Sequence, residues 1–316
     1  MVEMVIDVRG LTKTFESPKT GLVTALDAVD LTVPRGTVLG LLGHNGAGKT
    51  TLVNVLSTLT PPTSGSASVA GHDVVTEAAA VRARIGLTGQ FATLDEGITG
   101  RDNLVLLARL YGASRRQAAE RAAELLAAFD LTKAADRPAR GYSGGMRRRL
   151  DLAACLVAGP EVIFLDEPTT GLDPGSRRAV WAMVESLVAH GSTVLLTTQY
   201  LEEADRLADA IVVLAGGRVV ARGSAAQLKR ELGQCSVTTE LASGSDVDAA
   251  LGALRRAGLS PVADSLAIMT PVATSAGVTA VVRALDSAGA EVTAVRFAEP
   301  SLDDVYLHLT PADARR

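Results

Sequence analysis

The sequence predicts an α/β fold in which a largely parallel sheet carries an inserted helical subdomain, followed by a small α+β domain. Three observations predict it. Short apolar runs such as VIFLD (Val162–Asp166) alternate with helical patterns. The stretch from about residue 97 to residue 159 reads as helix after helix. Composition then shifts near Gly233, and a separate β-α-β-β-α-β order begins, the order of a ferredoxin-like fold. The expected boundaries are 1–232 for the large domain, with its helical subdomain at 97–159, and 233–316 for the small one.

Taken in order, the chain opens on strand-like material, VIDVRGLTKTF, ALDAVDLTV and TVLGLLG. The last of these runs from Val38 to Leu42, ends in glycine and leads into GHNGAGKTTLVNVLSTL, a turn followed by a helix. GSASVAG and ARIGLTG read as further strands of the alternating series. The helical block contains NLVLLARLYG, SRRQAAERAAELLAAFDL and MRRRLDLAACLVAG, with apolar residues at three- and four-residue steps. VIFLDEP, a helix around RRAVWAMVESLVAH, the strand STVLLTTQ, the acidic helical EEADRLA and AIVVLAGGRVVARG complete the large domain. Strands such as VIFLD lack polar alternation because both of their faces are expected to be covered. The tail reads as strand SVTTELA, helix DVDAALGALRRAG, strands PVADS and LAIMT, helix GVTAVVRALDSAG, strand EVTAVRF and a last helix SLDDVYLHLT.

Composition narrows the function classes. With 316 residues of which 47% are hydrophobic, the chain can bury a substantial core. Its 31 basic and 35 acidic residues leave a formal charge of −4, which argues against a nucleic-acid binder with a basic stripe. Cys155 and Cys235 stand far apart without CxxC spacing and read as two reduced thiols. No basic-then-apolar leader opens the chain, and no apolar stretch approaches the roughly 18 residues of a membrane helix. The expectation is a protein soluble by itself, reaching a membrane only through a partner.

GHNGAGKT, Gly43 to Thr50, fits G-x-x-x-x-G-K-[ST] between a strand and a helix. Gly43, Gly46 and Gly48 let the backbone curl so that N–H groups from Asn45 and Ala47 onward to Thr51 can hold phosphate oxygens. The helix start adds its positive dipole end. Lys49 supplies a cation and Thr50 a hydroxyl for Mg²⁺. His44 stands at a variable position of the loop and reads as a surface residue. VIFLDE places two carboxylates at the end of a buried strand: Asp166 as metal partner, Glu167 as the base that polarises the attacking water. TVLLTTQ raises its own question, because a strand ending in Thr197, Thr198 and Gln199 puts a glutamine where parallel sheets bind ligands.

YSGGM, Tyr142, Ser143, Gly144, Gly145 and Met146, resembles the signature motif of ABC ATPases. Gln90 in LTGQF resembles that family's Q-loop, Gly171-Leu172-Asp173 its D-loop, and Phe15 its adenine-stacking aromatic. Taken alone, Phe15 reads equally well as core packing, and Ser143 as a helix N-cap. Gln199 stands where most of the family has a switch histidine. An amide can still donate to the γ-phosphate but cannot titrate. Together with GLTGQFATLDEGITGRDNL, TTQYLEEAD and PSLDDVYLHLT, the motifs resemble the daunorubicin-resistance type of drug-exporter ATPase subunit.

That resemblance implies a P-loop ABC ATPase fold, ATP and Mg²⁺ as ligands with Thr50, Gln90 and Asp166 at the metal, and catalysis by Lys49, Gln90, Glu167 and Gln199. It implies a second ATPase subunit, most simply a homodimer, whose signature turn closes on the nucleotide. It also implies a separately encoded membrane permease, contacted partly by residues 91–99, and a place on the cytoplasmic side of the cell membrane. Two alternatives compete: an ABC ATPase uncoupled from transport, and an ATP-binding regulatory subunit with little turnover.

Overall fold

The structure, a computed structural model, describes residues 3–17, 21–88, 94–232 and 235–298. Gln90 and its neighbours 91–93 lie outside the described residues, as does the expected last helix at 301–310. The chain divides into two compact units between Ser224 and Ala225, ahead of the composition shift at 233.

The larger unit begins with two long antiparallel strands, β1 (Met4–Ser17) and β2 (Gly21–Pro34). There follow β3 (Val38–Leu42), α1 (Lys49–Leu56), β4 (Ser64–Val69), β5 (His72–Asp73), α2 (Ala78–Arg82) and β6 (Ile85–Thr88). Three helices come next, α3 (Gly100–Leu110), α4 (Arg115–Ala128) and α5 (Gly144–Cys155). The unit closes with β7 (Val162–Asp166), α6 (Pro174–Ala189), β8 (Thr193–Thr198), α7 (Leu201–Leu207), β9 (Ala210–Ala215) and β10 (Arg218–Gly223).

These strands form two sheets, not one. A six-stranded sheet runs in the order β10-β9-β3-β8-β7-β6, parallel except for the β9–β10 hairpin. A second, antiparallel sheet runs β2-β1-β4-β5. Ser64–Val69, which reads in sequence as one more strand of the alternating series, therefore belongs to the antiparallel sheet, where Ile6 pairs with Val69. Periodicity identifies a strand but says nothing of its partner.

The parallel sheet separates two cores because successive residues of a strand face opposite sides. Val162 and Phe164 of β7 join β1, β2 and α1 in one core, while Ile163 and Leu165 join the helical block and α6 in the other. The helical block thus shares its core with the sheet. Each fully buried side chain, Phe164 for example, contributes about 1.5–3 kcal/mol. Local signals fix the helix starts. Ser114 and Gln117 form a reciprocal capping box on α4, and Asp173 caps α6 ahead of Pro174.

The smaller unit contains α8 (Ala225–Leu232), β11 (Cys235–Leu241), α9 (Val247–Arg256), β12 (Val262–Asp264), β13 (Ala267–Val272), α10 (Ala276–Ser287) and β14 (Val292–Ala298). Its sheet order is β12-β13-β11-β14, antiparallel throughout. Val237 and Ile268 from the sheet pack with Leu254 and Val281 from α9 and α10.

Candidate active site

Three neighbouring strands of the parallel sheet end side by side. Leu42 of β3 pairs with Thr198 of β8, and Thr197 of β8 pairs with Asp166 of β7. The register therefore brings the Gly43 loop, the Thr197–Gln199 end and the Asp166–Glu167 pair to one edge, where parallel sheets bind ligands.

The glycine loop curls into the start of α1. Gly48 sits at φ +108° as its N-cap, and a Cβ there would lie 2.5 Å from the Ala25 carbonyl. Lys49 is 5% exposed and donates from Nζ to the carbonyls of Gly43 (2.6 Å) and His44 (3.2 Å), with Glu167 Oε1 at 3.7 Å. Burial lowers its pKa, opposed by the nearby carboxylates of Glu167 and Asp166. Thr50 Oγ1 donates to Asp166 Oδ2 at 3.2 Å, and the Thr197 hydroxyl donates to the other oxygen of Asp166. Glu167 adopts the left-handed backbone, φ +48°. Its N–H reaches Thr197 O and Oγ1, both at 3.1 Å, and its Oε2 accepts from Thr170 Oγ1 at 3.2 Å.

Phe15, Ala25, His44, Asn45, Gly46, Gly48, Lys49, Thr50, Thr51 and Glu167 line a single cavity of about 420 Å³. Ala47 is buried beneath the loop. Phe15 is 43% exposed, with Lys13 Nζ 4.9 Å from its ring centre, so the core-packing alternative for Phe15 falls. His44, expected at the surface, is half-buried on the lining of this cavity. Nδ1 lies 2.6 Å from Asn45 O, and Nε2 is buried without a hydrogen-bond partner among the described residues.

The signature turn lies apart from this cavity, as none of its residues is among the lining. Tyr142 is buried and donates its hydroxyl to Ala134 O at 2.8 Å, which makes it the anchor of the turn. Ser143 caps α5, its Oγ accepting from Met146 N at 3.3 Å. Ser143 and Gly144 are exposed, while Met146 packs against the core. Gly145 abuts Ser176, and both line a smaller cavity of about 240 Å³. Asp173 accepts from Gly175 N, Ser176 N and Ser176 Oγ, and the Ser176 hydroxyl is the first cause of its lowered pKa. Gly171 takes a left-handed φ of +75°, and Leu172 packs against the core. The signature and D-loop residues thus sit together. Gln199 stands exposed at the end of β8.

The site thus joins a cradle closed by a lysine, a carboxylate pair and an exposed aromatic, with a serine-glycine helix start held separately. The ABC transporter family matches residues 26–170. A daunorubicin resistance ATP-binding protein of Streptomyces coeruleorubidus is 52% identical, covering 100% of this chain and 98% of the relative. The chain belongs to the ABC transporter ATP-binding subunits of the daunorubicin-resistance type. As such a subunit it is an ATPase.

Likeness to two further proteins covers less of the chain. The Nod factor export ATP-binding protein I of Sinorhizobium fredii is 40% identical over 74% of this chain and 67% of that protein. A dimeric structure of an ATP-binding cassette in a post-hydrolysis state, bound to ADP and Pi, superposes with a TM-score of 0.64 at 25% identity, covering 69% of this chain and 98% of that one.

Three residues of this ABC subunit's site escape a reading of its motifs. Thr197 touches both catalytic-strand carboxyl residues, Thr170 braces Glu167, and Arg148 on α5 donates to Pro168 O at 2.8 Å. The polar end of β8 is a signal for the first. The other two carry none.

Proposed function

We propose that this subunit binds ATP between two ATPase subunits and couples its hydrolysis to export of hydrophobic drugs or lipids through a separate permease, on the cytoplasmic side of the cell membrane. The observation that carries the reading is the convergence of Phe15, Lys49, Thr50 and Glu167 on one cavity, with Asp166 hydrogen-bonded to Thr50. A triphosphate entering it meets the N-terminus of α1, and Lys49 exchanges neutral carbonyls for anionic oxygens, the stronger acceptors. Phe15 offers a ring face to adenine.

Thr50 and Asp166 present hard oxygen donors of the kind Mg²⁺ takes, and Gln90 joins them by family resemblance. The ion, when bound, supplies charge neutralisation at the β- and γ-phosphates. Glu167 takes the proton of the attacking water. Gln199 donates its amide to the γ-phosphate. Ser143, Gly144 and Gly145, at the start of α5, serve the γ-phosphate held by the partner subunit, with Gly171, Leu172 and Asp173 beside them. Residues 1–232 carry nucleotide binding and 233–316 an accessory role.

Drug export is supported by the names of relatives, which describe daunorubicin and doxorubicin resistance proteins covered over nearly their whole length. The test is co-purification with the adjacently encoded membrane protein, followed by Mg-ATP turnover with and without daunorubicin. Stimulated turnover is expected, and Glu167→Gln with Mg-ATP is expected to trap a dimer of ATPase subunits. A complex without turnover, or a trapped variant holding single ATPase subunits, overturns the reading.

A further inference from the structure

Gln199 is exposed, yet the turn that carries it is fixed on both flanks. Thr198 Oγ1 accepts from Tyr200 N at 2.9 Å, and the Arg177 guanidinium of α6 lies 4.9 Å from the Tyr200 ring. Tyr200 O in turn accepts from the N–H of Glu203, one turn into α7, at 3.1 Å. Glu203 is wholly buried, although its sequence context, LEEAD, reads as an exposed acidic helix start.

Its partner is Trp181, the single tryptophan of the chain, which donates Nε1 to Glu203 Oε1 at 3.0 Å. Arg206 of α7 covers the far side of that indole, 5.1 Å from its centre, and reaches Glu185 of α6 at 3.0 Å. Glu203 Oε2 and the wholly buried hydroxyl of Thr169 make no hydrogen bond of ordinary geometry. Burial drives the Glu203 pKa upward, opposed by the hydroxyl of Thr198, the indole of Trp181 and the hydroxyl of Thr169.

A buried carboxyl with one committed oxygen is a poor way to gain stability, because an apolar side chain of the same size fills such a place at less cost. The placement suggests another use. Trp181 lies on the helix that begins at the Asp173 cap, Thr169 lies between Glu167 and that cap, and Glu203 follows Gln199 on α7. One carboxyl therefore ties the helix that follows the D-loop to the helix that follows the glutamine.

We propose that Glu203 is a positioning residue, which through Trp181 locks α7 to α6 and so sets where Gln199 stands relative to the terminal phosphate and the Asp173 turn. The inference rests on the proposed ATPase mechanism. It makes Gln199 effective through a latch behind it, where most of the chemistry otherwise lies at the edge of the sheet.

The test uses the full chain in its permease complex. Trp181→Phe keeps a smaller aromatic ring and removes the N–H; Glu203→Ala removes the acceptor; Glu203→Gln keeps it. Trp181→Phe and Glu203→Ala are expected to lower kcat about tenfold, the scale of a misplaced catalytic group, with KM for ATP held within about twofold. Glu203→Gln is expected to keep kcat within about threefold. Trp181 emission, which needs no turnover, should shift to longer wavelength in Glu203→Ala and stay in place in Glu203→Gln.

Wild-type kcat in Trp181→Phe, or a KM that rises in step with the fall in kcat, overturns the proposal. Unchanged emission in Glu203→Ala overturns it even if the wild type fails to turn ATP over, a failure that by itself condemns only the ATPase mechanism. Should Glu203→Ala not fold, Trp181→Phe and the isosteric Glu203→Gln decide between the outcomes.

Discussion

In the phosphate cradle the functional side chains already meet one another. Lys49 reaches loop carbonyls and Glu167, Thr50 reaches Asp166, and Thr197 reaches Asp166 and the Glu167 backbone. In the signature turn the side chains face the other way. Tyr142 and Met146 are spent on the core and Ser143 on its own helix start, while the first N–H groups of α5, on Gly144 and Gly145, have no acceptor within their helix. The side chains of the cradle are already joined to one another within one chain. The turn holds backbone donors at a helix start, which on the proposed mechanism serve the nucleotide of the partner subunit. Damage to the cradle should therefore show in any nucleotide assay, and damage to the turn only where two subunits meet.

The largest effect should come from the cradle. Glu167→Gln is expected to cut phosphate release by about 10²–10⁴-fold while calorimetric ATP binding persists, since on the proposed mechanism it removes the base and keeps the shape. Gly145→Ala attacks the turn, placing a Cβ 2.6 Å from Ser176 Oγ. Turnover of the permease complex should fall roughly tenfold or more with ATP binding to the isolated subunit unchanged, and Ser176→Gly in the same chain should restore part of it. Weakened ATP binding in the isolated variant would erase the contrast between the two regions.

Gln199→His sharpens it further. An amide does not titrate, so position 199 contributes no inflection to the wild-type pH profile. The variant gains a group with a pKa of about 6.5, and its turnover between roughly pH 5.5 and 7.5 should acquire a pH dependence that the wild type lacks. The smallest effect is expected from Tyr142→Phe. It loses one buried hydrogen bond to Ala134 O, worth about 1 kcal/mol, seen as a Tm lowered by roughly 2–4 °C with nucleotide affinity intact.

What could be read in the sequence follows the same division. The cradle is contiguous from Gly43 to Thr51, and Asp166-Glu167 announces itself as acids ending an apolar strand, so both are legible locally. Thr197 reaches Asp166 only through strand register, which no local pattern encodes. Ser176 lies under Gly145 because a capping aspartate fixes the start of α6, a consequence of tertiary packing. Ser64–Val69 reads as a strand in either sheet, and only pairing with β1 decides which. Glu203 was hidden because one buried acid within an acidic run looks like its exposed neighbours. Burial against Trp181 of a helix passed earlier in the chain leaves no periodic trace.

The contact between Gly145 and Ser176 carries a mechanical consequence. With Asp173 accepting two hydrogen bonds from Ser176 and one from Gly175, and Ser176 set against Gly145, the signature turn and the Asp173 turn of one chain are coupled. On the proposed mechanism they meet the partner subunit as one stamped surface. Encounter then succeeds or fails as a whole, and a sister chain with a single altered loop would have to change its neighbour too.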